Sequence, residues 1–286
     1  MSYQIITDTG SDLSEAMQKE LGVKVVPLSL LFKGETYTDY PESFLKEVYN
    51  GMRAGEMGTT SAINPDGWAN AMEEYLQKGE DVLVLAFSSG LSTTYQSAMI
   101  AADELREKYP ERTIRVVDTL CASLGQGLLV WYACQKRDAG LSLNEVADWV
   151  EEKKANLCHF FTPDDLMHLK RGGRVSAATA VAGTLLQIKP VLHVSDEGKL
   201  VSIGKARGRK AAIKALADKL GELGLPGENE TVFISHGDCL EEAQSLAEMV
   251  KEKYGVKNVV LYYVGAVIGV HAGPGTIAFF FLGEHR

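Results

Sequence analysis

An α/β fold of two domains follows from three features of the sequence. First, Val82 to Phe87 is an unbroken apolar run of strand length. A run without polar alternation is the pattern of a strand covered on both faces. Second, strand-like and helix-like segments alternate through the first half, which predicts a largely parallel sheet with helices on both faces. Third, the texture changes near His159, where a short helix, a hairpin and two amphipathic helices alternate with further strands. This second half predicts a mixed α/β domain. We place the N-terminal α/β domain at residues 1–157 and the C-terminal one at 158–286.

Taken in order, Tyr3 to Thr7 is the first strand, Asp8-Thr9-Gly10-Ser11-Asp12 a turn cluster, and Ser14 to Leu21 a helix. Val23 to Phe32 is extended and interrupted by Pro27, with Tyr37 pairing back after a turn at Lys33-Gly34-Glu35. A helix follows Pro41. Asn64 then has the character of an N-cap and Pro65 that of a first helical residue. Trp68, Ala71, Met72, Tyr75 and Leu76 form its buried face. After the central strand, Thr93 and Gln96 have capping-box spacing, so a helix begins near Ser92 or Thr93. Its stripe is Tyr95, Ala98, Met99, Ala102 and Leu105. Ile114 to Val117 is another buried strand, followed by a long helix to about Ala139 and one more from Leu141 to Asn156. In the second half, Asp164 to Lys170 is a short helix, Pro190 to Val194 a strand and Asp196-Glu197-Gly198-Lys199 a hairpin turn. Helices over about 209–223 and 240–254 alternate with strands over 232–235 and 259–264, and a strand over 277–282 closes the chain.

Composition narrows the function. The 286 residues carry a net charge of −9, with 45% hydrophobic and 23% charged residues. That balance is ordinary for a globular protein and argues against a general nucleic-acid binder. No run approaches the roughly 18 apolar residues of a membrane span. The first residues enter a strand-like run without a basic leader. The four cysteines, Cys121, Cys134, Cys158 and Cys239, form no C-x-x-C pair and are read as reduced thiols of a cytoplasmic protein.

The sequence offers no catalytic or metal constellation. No two of the six histidines stand at helical ligand spacing, so we assign no metal. Ser89-Gly90-Leu91-Ser92 lies at a strand-to-helix turn but is not a G-x-S-x-G elbow. Gly269 to Gly275 is glycine-rich yet matches no phosphate-loop pattern. What remains is hydroxyls at two expected helix N-termini, Thr60/Ser61 and Ser92-Thr93-Thr94, with His271 in a tight turn. Helix ends and neutral donors suit an anion and supply no reactive group. They point to binding rather than conversion. The alternative is a small-molecule hydrolase or kinase using Ser92 and His271.

The ordered segments resemble the DegV family of fatty-acid-binding proteins, which includes the binding subunits of bacterial fatty acid kinase. The likeness runs along nearly the whole chain. It rests on Thr7-Asp8-Thr9-Gly10-Ser11-Asp12, Val25-Val26-Pro27-Leu28, Thr60-Ser61, Ser89 to Ala98, Asp118-Thr119 with Ser123, Leu166 to Arg174, Ile188-Lys189-Pro190, Gly198, Lys205-Ala206-Arg207 and His271 to Gly275. The resemblance implies two α/β domains enclosing one long-chain fatty acid, with no cofactor and no catalysis by this chain. Its carboxylate would be held by Thr60 or Ser61, by Ser92 with Thr93 and Thr94, and with His271 close by. A separate fatty acid kinase catalytic subunit would phosphorylate the acid to an acyl phosphate for phospholipid synthesis. Two positions depart from the family pattern. Thr93 stands where Gly is usual, and Ala62-Ile63-Asn64 replaces Gln-Pro-Ser; both bear on chain-length or head-group preference.

The physical terms agree with such a ligand. Burying about 14 methylenes of a C16 tail is worth up to ~11 kcal/mol at ~0.8 kcal/mol each, less the cost of association. Ala178, Ala180, Val181, Leu185, Leu186 and Ile188 are candidates to line the tail. Lys205-Ala206-Arg207-Gly208-Arg209-Lys210 is the densest basic run of an acidic chain. Basic residues at a helix start oppose its dipole, so Arg207, together with Arg171 and Arg174, is assigned to docking the kinase partner.

Overall fold

The computed structural model describes residues 2–175 and 188–286. The first half contains strands β1 (Tyr3–Asp8), β2 (Lys24–Val26), β3 (Ser29–Phe32), β4 (Glu35–Tyr37), β5 (Thr59–Ser61), β6 (Asp81–Ala86) and β7 (Ile114–Asp118). Its helices are α1 (Glu15–Leu21), α2 (Glu42–Arg53), α3 (Pro65–Leu76), α4 (Thr94–Lys108), α5 (Leu124–Asp138) and α6 (Leu143–Lys153). The second half contains β8 (Leu157–Thr162), α7 (Met167–Arg171), β9 (Ile188–Val194), β10 (Leu200–Arg207), α8 (Arg209–Leu223), β11 (Thr231–His236), α9 (Leu240–Tyr254), β12 (Asn258–Tyr263), α10 (Ala266–Ala272) and β13 (Ile277–Leu282). No helix among the described residues is long and apolar enough to cross a membrane.

The first sheet has the order β2-β1-β6-β7 and is parallel throughout. The unbroken apolar run of β6 has its explanation here. Val82, Val84 and Ala86 pack with Trp68 and Met72 of α3 and Ala98 and Ala102 of α4. Leu83 and Leu85 face the other way, into a cluster with Leu124 and Leu128 of α5 and Val146 and Val150 of α6. Alternate side chains therefore enter two different cores, and neither face tolerates water. The start of α3 is as the sequence predicts. The Asn64 side chain accepts from the Gly67 amide at 2.8 Å, and Pro65 opens the helix.

The second sheet is mixed, with the order β10-β9-β8-β13-β11-β12. Only β11 and β12 run parallel. Its first strand begins at Leu157. One face, with Phe161, Leu192, Phe233 and Phe280, shares the α5 cluster. The other, with Phe160, Val232, Phe279 and Phe281, packs on Leu216 of α8 and Leu246 of α9. Helix α5 thus lies between the two sheets. A third, antiparallel sheet, β4-β3-β5, covers α2 and α10 through Leu30, Phe32, Tyr49, Ala266 and Val270.

Four expectations are corrected, the first being that His271 stands in the last turn of helix α10 rather than in a tight turn. Thr60 and Ser61 lie on β5, not at a helix N-terminus; Asn64 takes the cap. The Thr93/Gln96 capping box does not form, because Thr93 adopts φ −80°, ψ 7° and makes no side-chain cap bond. Lys205-Ala206-Arg207 is the end of edge strand β10 rather than a turn, and Arg209 is held by Glu242, Thr162 O and Gly275 O. The expected tail-lining residues Ala178, Ala180, Val181, Leu185 and Leu186 lie outside the described residues; Ile188 opens β9 and is half-buried.

A buried polar junction joins the halves. Ser123 Oγ donates to Asp12 Oδ2 at 2.5 Å and lies 3.0 Å from Ser235 Oγ of β11. Burial pushes the Asp12 carboxyl up to about 7 from the ordinary 3.8, against the opposing hydrogen bond from Ser123. The unfolded chain loses this proton near pH 4 and the fold keeps it to about pH 7. Between those values the unfolded state binds fewer protons, so stability falls as pH rises. Asp12→Asn keeps an acceptor for Ser123 and fits the positive φ of 53°. It should remove Asp12's share of the decline, on the order of a few kcal/mol at ~1.4 per pKa unit, and leave that of Asp8, which burial also pushes up to about 7. Denaturation midpoints that move in parallel for both proteins across pH 4–7 would show that Asp12 does not titrate in the fold.

Candidate functional site

A cavity of about 470 Å³ lies between the two sheets. Phe87 and Leu91 wall it from the first domain, Phe161 and Phe280 from the second sheet, Val267 and Ile268 from α10, and Val194 and Leu200 from the β9–β10 hairpin. The volume is within the ~300–1,000 Å³ typical of small-molecule sites. Its wall is mostly apolar. The polar side chains that enter it include Thr60, Ser92, Thr93, Arg174 and His271, with Ser89, Ser123 and His159 also on the lining.

Thr60 and His271 come together from distant segments. In β5 only Thr60 is half-buried, while Thr59 and Ser61 are exposed, as alternation along a strand requires. Thr60 Oγ1 lies 2.7 Å from His271 Nε2. His271 occupies the last turn of α10, before a bend that uses positive φ at Gly273 and Gly275. Its other face lies against Gly172, where any Cβ would overlap Nδ1. Burial, and secondarily the positive charge of Arg174, lower the His271 pKa to about 4. The imidazole is therefore neutral near pH 7, and its partnership with Thr60 is that of two neutral groups.

Ser92 is placed by the loop after β6. The amides of Leu91 and Ser92 each donate to Ser88 O at 3.1 Å. Ser92 Oγ accepts from the Thr94 amide at 3.3 Å and lies 2.8 Å from Thr94 Oγ1. This local turn replaces the expected capping box. Thr93 is exposed at the cavity rim; Thr94 is fully buried and does not line it. Ser61 is exposed on β5 opposite Ser29 and does not line it either.

Of the three arginines assigned to docking, Arg174 is placed otherwise. It lines the cavity, with Nε 3.4 Å from Leu91 O and Nη1 bonded to Gly172 O. A second groove of about 230 Å³ shares Thr60, Arg174 and His271 with the cavity and leads out past Met57 and the exposed Arg171. Arg207 stands elsewhere, on the exposed face of β10 with Val201, Ile203 and Lys205. The sequence carried no sign of Arg174's inward position, nor of the wall from Phe161 and Phe280, which arises only when β8 and β13 pair.

The arrangement does not couple Ser92 to His271 as the hydrolase alternative requires. Ser92 pairs with Thr94, not with His271, and among the described residues neither imidazole nitrogen has a carboxylate partner. A nucleophile needs a base within hydrogen-bond reach, and a base needs an orienting group. Neutral donors beside an apolar cavity suit a small anionic head on an apolar body. A carboxylate entering beside His271 should raise its pKa from about 4 toward the ordinary value. NMR titration of the ring with and without palmitate measures this, and identical values in both states would leave His271 a structural residue.

Comparisons with known proteins establish the family and agree with the fold. The family described as "Uncharacterised protein, DegV family" matches residues 2–284. A DegV domain-containing protein of Clostridium perfringens is 48% identical, over 99% of this chain and 98% of its own. A structure of a Thermus thermophilus DegV family protein, described by its fatty acid binding, is 34% identical with a TM-score of 0.88, covering 99% of this chain and 100% of that one. A Thermotoga maritima protein whose structure is described as revealing a fatty acid binding function is 29% identical with a TM-score of 0.87, covering 99% of each chain. With a family match over nearly its whole length and a relative at 48% identity, this chain belongs to the DegV family.

Proposed function

We propose that this protein binds a long-chain fatty acid, with the tail in the cavity between the sheets and the carboxylate beside Thr60, Ser92 and His271. The observation that carries the reading is the cavity itself. It is an apolar space of about 470 Å³ in which a threonine–histidine pair and a serine turn provide neutral donors. The fatty acid binding described for the Thermus and Thermotoga structures supports it. A buried carboxylate needs several donors in place of water. Thr60 replaces Ser61 in the proposed clamp, because only Thr60 faces inward.

The protein acts as a carrier in this reading, and a separate fatty acid kinase phosphorylates the bound acid for phospholipid synthesis. The groove past Met57 and Arg171 supports this, since it reaches Thr60 and His271 from outside. Arg207, exposed at the end of β10, remains the proposed electrostatic contact with that kinase.

Mass spectrometry of an organic extract of the purified protein tests the ligand, with a C14–C18 acid expected. An empty protein that hydrolyses esters would overturn the reading. Ser92→Ala and Thr60→Ala should each weaken binding by about 1–3 kcal/mol, as for a hydrogen bond to a charged group, while Ser61→Ala should change it little. Unchanged affinity in the Thr60/Ser92 double variant rules out the clamp. For the kinase contact, Arg207→Glu should leave fatty-acid affinity intact and slow phosphorylation, with the wild-type rate falling as salt rises. Normal phosphorylation of that variant at limiting kinase removes Arg207 from the docking face.

A further inference from the structure

Ser88 touches neither Thr60 nor His271 and does not line the cavity, yet it is fully buried and bonded in four directions. Its amide donates to Cys121 O at 3.1 Å, tying it to the loop between β7 and α5. Its carbonyl accepts both the Leu91 and the Ser92 amides. Its hydroxyl accepts from the Gly90 amide at 3.1 Å and donates to Gly198 O at 2.8 Å, across to the β9–β10 hairpin. The approach is close on both sides. A Cβ at Gly198 would overlap Ser88 Oγ, and one at Gly90 would lie 2.5 Å from Glu197 O and 2.7 Å from Gly198 O. The hairpin carries Val194 and Leu200, which wall the cavity, and the Ser88 loop carries Ser92.

We infer that Ser88 is a positioning residue that couples the head-group turn to the tail wall. The hydroxyl fixes the loop at Gly90 and its distance from the hairpin, while the carbonyl of the same residue holds the Ser92 amide. Side-chain order at Ser92 and closure of the wall at Leu200 are then a single event. The inference rests on the proposed fatty-acid reading and adds a residue that acts through Ser92 without touching the ligand.

A double-mutant cycle with [1-¹³C]palmitate tests it. Wild-type binding is measured first; if it is absent, the fatty-acid reading itself fails and not merely the role of Ser88. Given binding, Ser88→Ala should weaken it roughly tenfold, since a buried carbonyl loses its donor. It should also shift the bound carboxylate's ¹³C resonance. In a Ser92→Ala background the same substitution should have much less effect, because coupled residues do not add. Gly90→Ala, which forces the hairpin away without altering either serine, should reproduce the resonance shift. Thr119→Ala is the control for lost stability. Its hydroxyl is equally buried and bonds Ala86 O at 2.7 Å with no contact to the hairpin, and it should leave the resonance in place. Additive effects of Ser88→Ala and Ser92→Ala, or an unmoved resonance in both Ser88→Ala and Gly90→Ala, would overturn the inference.

Discussion

The close insertion of α5 between two sheets is the constraint on which the rest of the structure depends. Its first turn meets backbone and side chains on both sides. A Cβ at Gly125 would overlap the His159 ring on β8, and one at Gly127 would lie 2.7 Å from Ser11 O. Between these glycines, Gln126 is fully buried, and its amide reaches Thr7 Oγ1, Asp8 Oδ1 and Leu85 O. Ser123, at positive φ before the helix, then reaches Asp12 and Ser235. Interiors packed at this density transmit displacement rather than absorb it. The two sheets are therefore held at a fixed separation at this end of α5, and the cavity lined by Ala122 and Ser123 begins there.

The electrostatics of the cavity follow from that enclosure. An acidic chain offers a poor general environment for an anion, so recognition has to be local. Burial holds His271 neutral, which makes it a hydrogen-bonding group rather than a counter-ion. Arg174 supplies positive charge at the same place, and its guanidinium is anchored by the carbonyls of Leu91 and Gly172. Among the described residues its anchors are carbonyls and no carboxylate pairs with it, so the charge is not cancelled there. The field at the cavity's polar side is thus set by one cation and several neutral dipoles, in surroundings where each is stronger than in water.

Sequence reasoning reached those parts whose physics is local. The Asn64-Pro65 start of α3, the doubly covered strand β6, and both late amphipathic helices depend on caps and periodicity within a few residues. Ser92 was legible from loop chemistry and His271 as a residue type, and both line the cavity; the helix α10 that carries His271 was not legible. Thr60 was legible as a residue type but not in its setting. A three-residue strand, Thr-Thr-Ser, has no apolar alternation to betray it, and the adjacent Asn64 made the whole stretch look like a helix start. The inward turn of Arg174 depends on Leu91, 83 residues away, and the wall from Phe161 and Phe280 on the pairing of β8 with β13. No local pattern encodes which strand of a mixed sheet lies beside which.

The cavity sets its own energetic condition. Its wall is mostly apolar, and apolar surface left in water forgoes about 25 cal/mol per Å² relative to surface that is covered. Water relieves little of this, because a water needs two to four polar partners and the greater part of the wall is apolar. An apolar chain relieves most of it, through the same contacts that a core side chain would make. The polar groups cannot supply that energy, and they need not. In the proposed fatty-acid reading Thr60, His271 and Ser92 orient the occupant, while the apolar wall between the sheets favours it. Affinity and orientation then fall to different residues, and Arg174 with the neutral donors around it favours an anion locally inside a protein of net charge −9.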